Sequence, residues 1–220
     1  MFKYKLIILI LVLIIIFILS CFICNAKELM LRNKVIYLDI GHGGNDPGVV
    51  IKDIKESDIN LKIGLKLYKL LKEHGATVYM TRYDDYNLAK INASNKKRSD
   101  LDNRANIINN SNSDIFLSLH LNYYNSSIWY GAQTFYTNNN KNNKLLAQII
   151  QKKFKKNLDT DREIKLINDR YLYNKITKPG VLLELGFLSN LKERNLLLND
   201  SYQEKICNLI LESLIEYFKI

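Results

Sequence analysis

The stretch Val35–Val50, VIYLDIGHGGNDPGVV, decides how this chain is read. Val35–Ile40 is a short, nearly unbroken apolar run rich in branched residues, the pattern of a buried strand. It runs into a glycine-rich turn, and inside that turn stands His42, one of three histidines in the chain. The turn does not suit a nucleotide. Gly41, Gly43 and Gly44 miss the dinucleotide spacing because Asp46 occupies the third glycine position, and no Lys-Ser/Thr pair completes a P-loop. His42 is left as the reactive side chain of the turn.

Working outward, strand-like runs recur at Val35–Ile40, Thr77–Arg82, Ile115–His120, Gly131–Tyr136 and Val181–Phe187. Leu/Lys/Ile-rich stretches near 57–74, 99–110, 141–156 and 201–218 alternate with them as helices. In the first of these, Ile59, Leu61, Ile63, Leu65 and Leu67 also alternate like a strand. Length, Ser57 and Asp58 as a start signal, and Gly75 as a stop decide for helix. The expected fold is α/β: one domain with a mostly parallel or mixed central sheet covered by helices on both faces. Residues 83–98 form a long polar loop, of the kind that is functional or mobile.

With two prolines, no Ser/Gly linker and no internal repeat, residues 27–220 read as that single catalytic domain. Residues 1–26 read separately. Lys3 and Lys5 precede an apolar run from Leu6 to Cys24 broken only by Ser20, which is expected to form an N-terminal apolar helix. The run is that of a signal peptide or a membrane anchor, and either places the rest of the chain outside the cytoplasm.

The formal charge is +10, of which +8 lies on residues 27–220. More than two dozen Asn and scattered lysines (Lys52, Lys55, Lys62, Lys66, Lys69, Lys72) read as compositional drift and a solvated helix face. No nucleic-acid motif accompanies them, and nucleic acid is not the expected partner. Outside the apolar segment only Cys207 remains, at helical spacing from Leu211, Leu214 and Phe218, so the domain relies on its core rather than on a disulfide.

His120 ends the run DIFLSLH in the same way that His42 follows the first strand, and sites in open α/β sheets form at the carboxyl ends of strands. His74, in KEHG, reads as a helix-end residue complementing the helix dipole. Two imidazoles suggest zinc, whose catalytic sites take three protein ligands and keep one position open. The third ligand is expected to be a carboxylate: Glu56 at the start of the first helix, or Asp46 or Asp53 from the same loop. Glu184 interrupts the apolar run VLLELGFLSN, and a carboxylate buried there is either paired with a cation or held at a site.

LDIGHGGNDPG, KESDINLKIGLKL, FLSLHLN and PGVLLELGFLSN together resemble, in order and spacing, the zinc-dependent N-acetylmuramoyl-L-alanine amidases of bacterial cell-wall remodelling. NKKRSDLDNRANIIN is similar to the family segment before the second histidine, and GAQTFY within a single catalytic domain resembles the germination-specific amidases of spore-forming bacteria. The resemblance runs from Val35 to the C-terminus. It implies that His42, Glu56 and His120 hold zinc, that Glu184 is catalytic, and that the substrate is peptidoglycan of the cell wall or spore cortex. The resemblance to the germination-specific amidases further implies that removing the stem peptide there precedes formation of muramic δ-lactam. Two departures, Glu56-Ser57-Asp58 for Glu-Lys-Asp and Asp39-Ile40 for Asp-Pro, remove no ligand. No wall-binding repeats are present, so localisation would rest on the N-terminal segment at the membrane or on an exported accessory protein. A zinc peptidase cutting within the stem, and a non-catalytic peptidoglycan-binding relative, are the competing classes. In this reading the turn glycines also let a glycan approach the backbone.

Overall fold

The computed structural model describes residues 4–5, 7–8, 10–16 and 29–219. Of the expected signal or anchor over residues 1–26, residues 4–5, 7–8 and 10–16 are helical, and the remainder, with the expected cleavage region, lies outside the described residues. Among the described residues no helix is long and apolar enough to cross a membrane.

The strands are β1 (Val35–Ile40), β2 (Val50–Ile51), β3 (Ile54–Lys55), β4 (Thr77–Met80), β5 (Ile115–Asn122), β6 (Gln133–Tyr136), β7 (Lys165–Leu166) and β8 (Gly180–Phe187). The helices are α1 (Glu56–Glu73), α2 (Lys96–Asn109), α3 (Asn143–Asn157), α4 (Tyr171–Lys175), α5 (Leu191–Leu197) and α6 (Asp200–Tyr217). Six strands form one mixed sheet in the order β4-β1-β5-β8-β6-β7. The first four run parallel, while β6 pairs antiparallel with β8 and carries β7 along in its own direction. β2 and β3 make a separate small hairpin.

Strand alternation sorts the side chains into two cores. Ile36 and Leu38 of β1, Leu117 and Leu119 of β5, and Val181 and Leu183 of β8 meet Ile63 of α1, Ile150 of α3 and Ile210 of α6. On the opposite face Tyr37, Phe116 and Leu182 meet Ala105 and Ile108 of α2 and Leu172 and Tyr173 of α4. Helices therefore cover both faces. Truncating a fully buried leucine such as Leu38 or Leu67 to Ala is expected to cost about 2–5 kcal/mol.

Several boundaries differ from the sequence reading. Ser57 and Asp58 do not cap α1: the cap position is Lys55, without a side-chain bond, and Glu56 is already the first helical residue. The second predicted strand stops at Met80, because Arg82 turns away from the ladder into the protein interior. The 83–98 loop ends earlier than expected, with Asn95 accepting from the Arg98 N–H to cap α2. Cys207 is buried in the larger core, and His74 sits at the end of α1 with Nδ1 2.8 Å from the Leu70 carbonyl.

Candidate functional site

β1, β5 and β8 are neighbours, so their carboxyl ends converge. His120 and Glu184 are in register on adjacent parallel strands, hence side by side on the same face at a strand spacing of about 4.8 Å. Beyond His120 the register shifts, pairing Asn122 with Phe187; such irregularities occur where a strand end is re-aimed at a site.

His42 follows β1 with φ of 63°, a left-handed conformation that costs a non-glycine residue roughly 1–3 kcal/mol. The surroundings over-determine it. Arg104 Nη2 donates to the His42 carbonyl at 2.8 Å, and Gly43 exchanges backbone bonds with Asp46 across the turn. His42 Nε2 lies 3.2 Å from Glu56 Oε2, and His42 Nδ1 lies 3.0 Å from Asp46 Oδ1, which Lys97 also contacts.

Glu56 is the hub. Its Oε1 is 3.0 Å from His120 Nδ1 and accepts from the Leu121 N–H at 3.0 Å, while Oε2 accepts from the Val49 N–H at 3.1 Å. These backbone donors orient the carboxylate before any ligand arrives, as outer bonds do for metal-binding groups. Ligand atoms of His42, Glu56 and His120 all lie within 4.8 Å of one another. Asp53 is exposed in the β2–β3 turn and takes no part; Asp46 stands behind His42 rather than among the three.

Two nitrogen donors and a carboxylate in one partly buried cluster are a donor set that suits zinc. Packing supports the fit. A Cβ on Gly48, whose φ is +67°, would come within 2.6 Å of Glu56 Oε2 and 2.7 Å of His42 Cδ2, and one on Gly41 would collide with the His120 ring. A Cβ on Gly43 would strike the Tyr86 carbonyl and Arg82. These glycines therefore face protein, not an open surface, which corrects the expectation that they let a glycan approach: they make room for the cluster and the 83–98 loop.

The electrostatics are those of a cluster waiting for a cation. Burial disfavours ionised Glu56, but His120 and His42 outweigh it and hold its carboxyl far below the usual range. Burial likewise opposes protonation of His42, yet Asp46 and Glu56 raise it to about 9. His42 would have to give up its proton to ligate a divalent ion, so metal binding there would depend on pH.

Glu184 differs. It has no cation partner among the described residues, and its Oε2 is buried without a hydrogen bond. Burial pushes its carboxyl up to about 7, with His120 pulling down and Glu56 adding to the rise. It borders two adjoining cavities. One, of about 590 Å³, is lined by the three clustered residues together with Tyr171 and Tyr173; the other lies toward β6 and β7.

Sequence reasoning missed Arg82 and Arg104, which are almost wholly buried. Arg104 binds Asp39 and Asp100 at 2.8 Å each, and Arg82 Nη2 donates to the carbonyls of Gly41 at 3.0 Å and Ser57 at 2.7 Å. Arg82 thereby ties the His42 turn to the first turn of α1, which carries Glu56.

Residues 36–216 match the N-acetylmuramoyl-L-alanine amidase family. The germination-specific N-acetylmuramoyl-L-alanine amidase of Bacillus subtilis is 40% identical over 195 residues, covering 87% of this chain and 82% of that protein. The CwlD amidase of Clostridioides difficile, solved in complex with the GerS lipoprotein, superposes with a TM-score of 0.81 at 44% identity, covering 85% of this chain and 99% of that one. The catalytic domain of CwlV from Bacillus (Paenibacillus) polymyxa, an enzyme of the same description, superposes at 0.74 with 31% identity, covering 85% and 99%.

Proposed function

This chain is a member of the N-acetylmuramoyl-L-alanine amidase family, and we propose that His42, Glu56 and His120 hold zinc while Glu184 acts as general base. The bond cleaved is the amide between the lactyl group of N-acetylmuramic acid and the L-alanine of the peptidoglycan stem. The observation that carries this reading is the convergence of the three donors beside a buried carboxyl without a cation partner.

Bound there, zinc supplies Lewis-acid polarisation of the lactyl carbonyl and a water acidified toward neutrality. Glu184 accepts the proton of the attacking water. As the water oxygen bonds to the lactyl carbon and the C–N bond breaks, Glu184 passes that proton to the alanine nitrogen. The products are a lactyl carboxylate and a free L-alanine amino terminus.

Likeness to the germination-specific amidase supports a role in spore-cortex maturation, and likeness to CwlD supports an exported lipoprotein partner. Residues 1–26 act as the signal or anchor that delivers residues 27–220 beyond the cytoplasm. Mass spectrometry of peptidoglycan digested by the zinc-loaded protein tests the reaction. Free L-alanine amino termini are expected; cleavage confined to bonds inside the stem would make the protein a peptidase instead.

A further inference from the structure

Glu193, on α5, is a buried carboxyl that the proposed chemistry does not use. It is 6% exposed, makes no ion pair among the described residues and lines neither cavity. Its Oε2 accepts from two backbone N–H groups, Phe187 at 2.8 Å and Gly131 at 3.0 Å. A carboxylate held out of water costs solvation that an apolar side chain would not, so its place here needs a reason.

Helix capping does not supply that reason. Asn190 caps α5 by accepting from the Glu193 N–H at 3.1 Å, and at this spacing the glutamate of a capping box reaches back to the N–H of the cap residue. Here the Asn190 N–H donates instead to the Phe187 carbonyl at 3.2 Å, and the Glu193 carboxylate serves the sheet.

The two N–H groups that it takes lie where the ladder beside Glu184 ends. β6 runs antiparallel to β8 with Gln133 opposite Glu184, and continuing that register sets Gly131 opposite Gly186. Both glycines have positive φ, 98° and 150°, and the pairing stops before them, at Gln133 and Glu184. One oxygen of Glu193 closes the gap, joining the entry of β6 to the exit of β8 three residues beyond Glu184. The exit of β8 is also fastened to the segment after His120. The Leu188 N–H donates to the Asn122 carbonyl at 2.9 Å, and Ser189 Oγ accepts from the Tyr124 N–H at 3.3 Å. A bond to a charged acceptor is roughly twice as strong as a neutral one, so Glu193 is the firmest of these ties.

We propose that Glu193 is a positioning residue for the hydrolysis: its carboxylate fixes the exit of β8 against the entry of β6, and thereby fixes where Glu184 stands beside His120. The proposal rests on the amidase reading for the role of Glu184. Glu193 itself makes no hydrogen bond to Glu184 or to the three donor residues.

Two variants separate reach from charge. Glu193→Gln keeps the length of the side chain and an oxygen that accepts both N–H groups; Glu193→Asp keeps the charge but is one methylene shorter. In full-length, zinc-loaded protein acting on a muramoyl-peptide, Glu193→Gln should retain most of kcat. Glu193→Asp should lose about 10²-fold, the scale of a misplacement of about 1 Å. KM and zinc content should stay near wild type in both, with turnover counted per folded molecule. A merely structural Glu193 would lower the melting temperature and leave turnover per folded molecule unchanged in both variants, which would overturn the proposal. So would loss of zinc from Glu193→Asp, or a Glu193→Gln that is the slower of the two. Amide hydrogen exchange provides a reading independent of turnover. Relative to core amides of β1, Phe187 and Gly131 should exchange slowly in wild type and Glu193→Gln and faster in Glu193→Asp; equal rates would overturn the tie. A wild type that shows this contrast yet cleaves no muramoyl-alanine bond would sink the amidase reading and keep Glu193 as the tie between the strands.

Discussion

Arg82 and Arg104 donate to one and the same acceptor, the carbonyl oxygen of Ile40, from 3.3 and 2.6 Å. Two buried guanidinium groups so close repel, and they are stabilised differently. Burial would lower the Arg104 pKa, but Asp39 and Asp100 outweigh it and hold the group well above its ordinary value. Arg82 lacks an acidic partner and is lowered first by burial and then by Arg104; four backbone carbonyls take its donors. The last strand residue before the His42 turn is thus clamped from two directions.

Replacing Arg104 with Leu should therefore cost about 3–5 kcal/mol, because Asp39 would be left buried and unpaired. Denaturant unfolding measures this directly. Asp39→Asn should show a different pH signature. The Asp39 carboxyl is held below its usual range although burial opposes this, because Arg104 and Ser118 outweigh it. Its contribution is present above the ordinary carboxylate pKa and lost as pH falls, so the stability gap between wild type and Asp39→Asn should shrink on acidification.

Gly48→Ala tests the space around the cluster. The added Cβ meets Glu56 and His42, and a φ of +67° strains any L side chain. Zinc affinity should fall at least tenfold, the low end of what disturbed outer contacts cost. Competition with a chromogenic chelator reads it out; an unchanged affinity would show that the cluster is not where the ion sits.

His42→Ala and His120→Ala should each remove most of about one bound zinc per chain, since a site of three ligands does not survive the loss of one. Asp46→Ala, which removes a contact behind His42, should retain zinc with weaker affinity. Metal content by plasma emission spectrometry separates the three.

Glu184→Gln should keep its zinc and its fold while losing turnover by about 10²–10⁴-fold. In metal-free protein the substitution carries a stability signature too. Burial raises the Glu184 carboxyl from 4.5 to about 7, so the native state holds a proton that the unfolded chain releases. Wild-type stability should then fall relative to Glu184→Gln as pH rises from 4.5 through about 7, and level off above that. A destabilised variant with normal turnover per folded molecule would make Glu184 structural.

If Leu6–Cys24 anchors the chain, full-length protein should stay in membranes through a high-salt wash, which strips electrostatic attachment but not an apolar span. A soluble form beginning near Lys27 would instead identify a cleaved signal.

Much of this arrangement was legible because β1, β5 and β8 are buried parallel strands, and such strands write themselves as unbroken apolar runs. A histidine or glutamate where such a run ends stands out at once. The reversal of β6 and β7 left no comparable mark, since pairing direction is not encoded in a four-residue pattern, and α4 and α5 are too short to show periodicity. Arg82 and Arg104 were hidden for another reason: much of what compensates their burial (Gly41 for Arg82, Asp39 for Arg104) lies tens of residues away, and the Asp100–Arg104 spacing alone looks like an ordinary surface helix pair.

The sheet order also governs when the site can exist. His42, His120 and Glu184 stand at the ends of or on three strands adjacent in space yet widely separated along the chain, and the pairings that join β1 to β5 and β5 to β8 are non-local parallel ones. Contacts of that kind form late, because loop closure precedes any reward from pairing. An unfolded or half-folded chain therefore has no ligand cluster to scavenge zinc. Loading becomes a report that β1, β5 and β8 have docked, and a chain carried unfolded across a membrane would acquire its ion at its destination rather than where it was made.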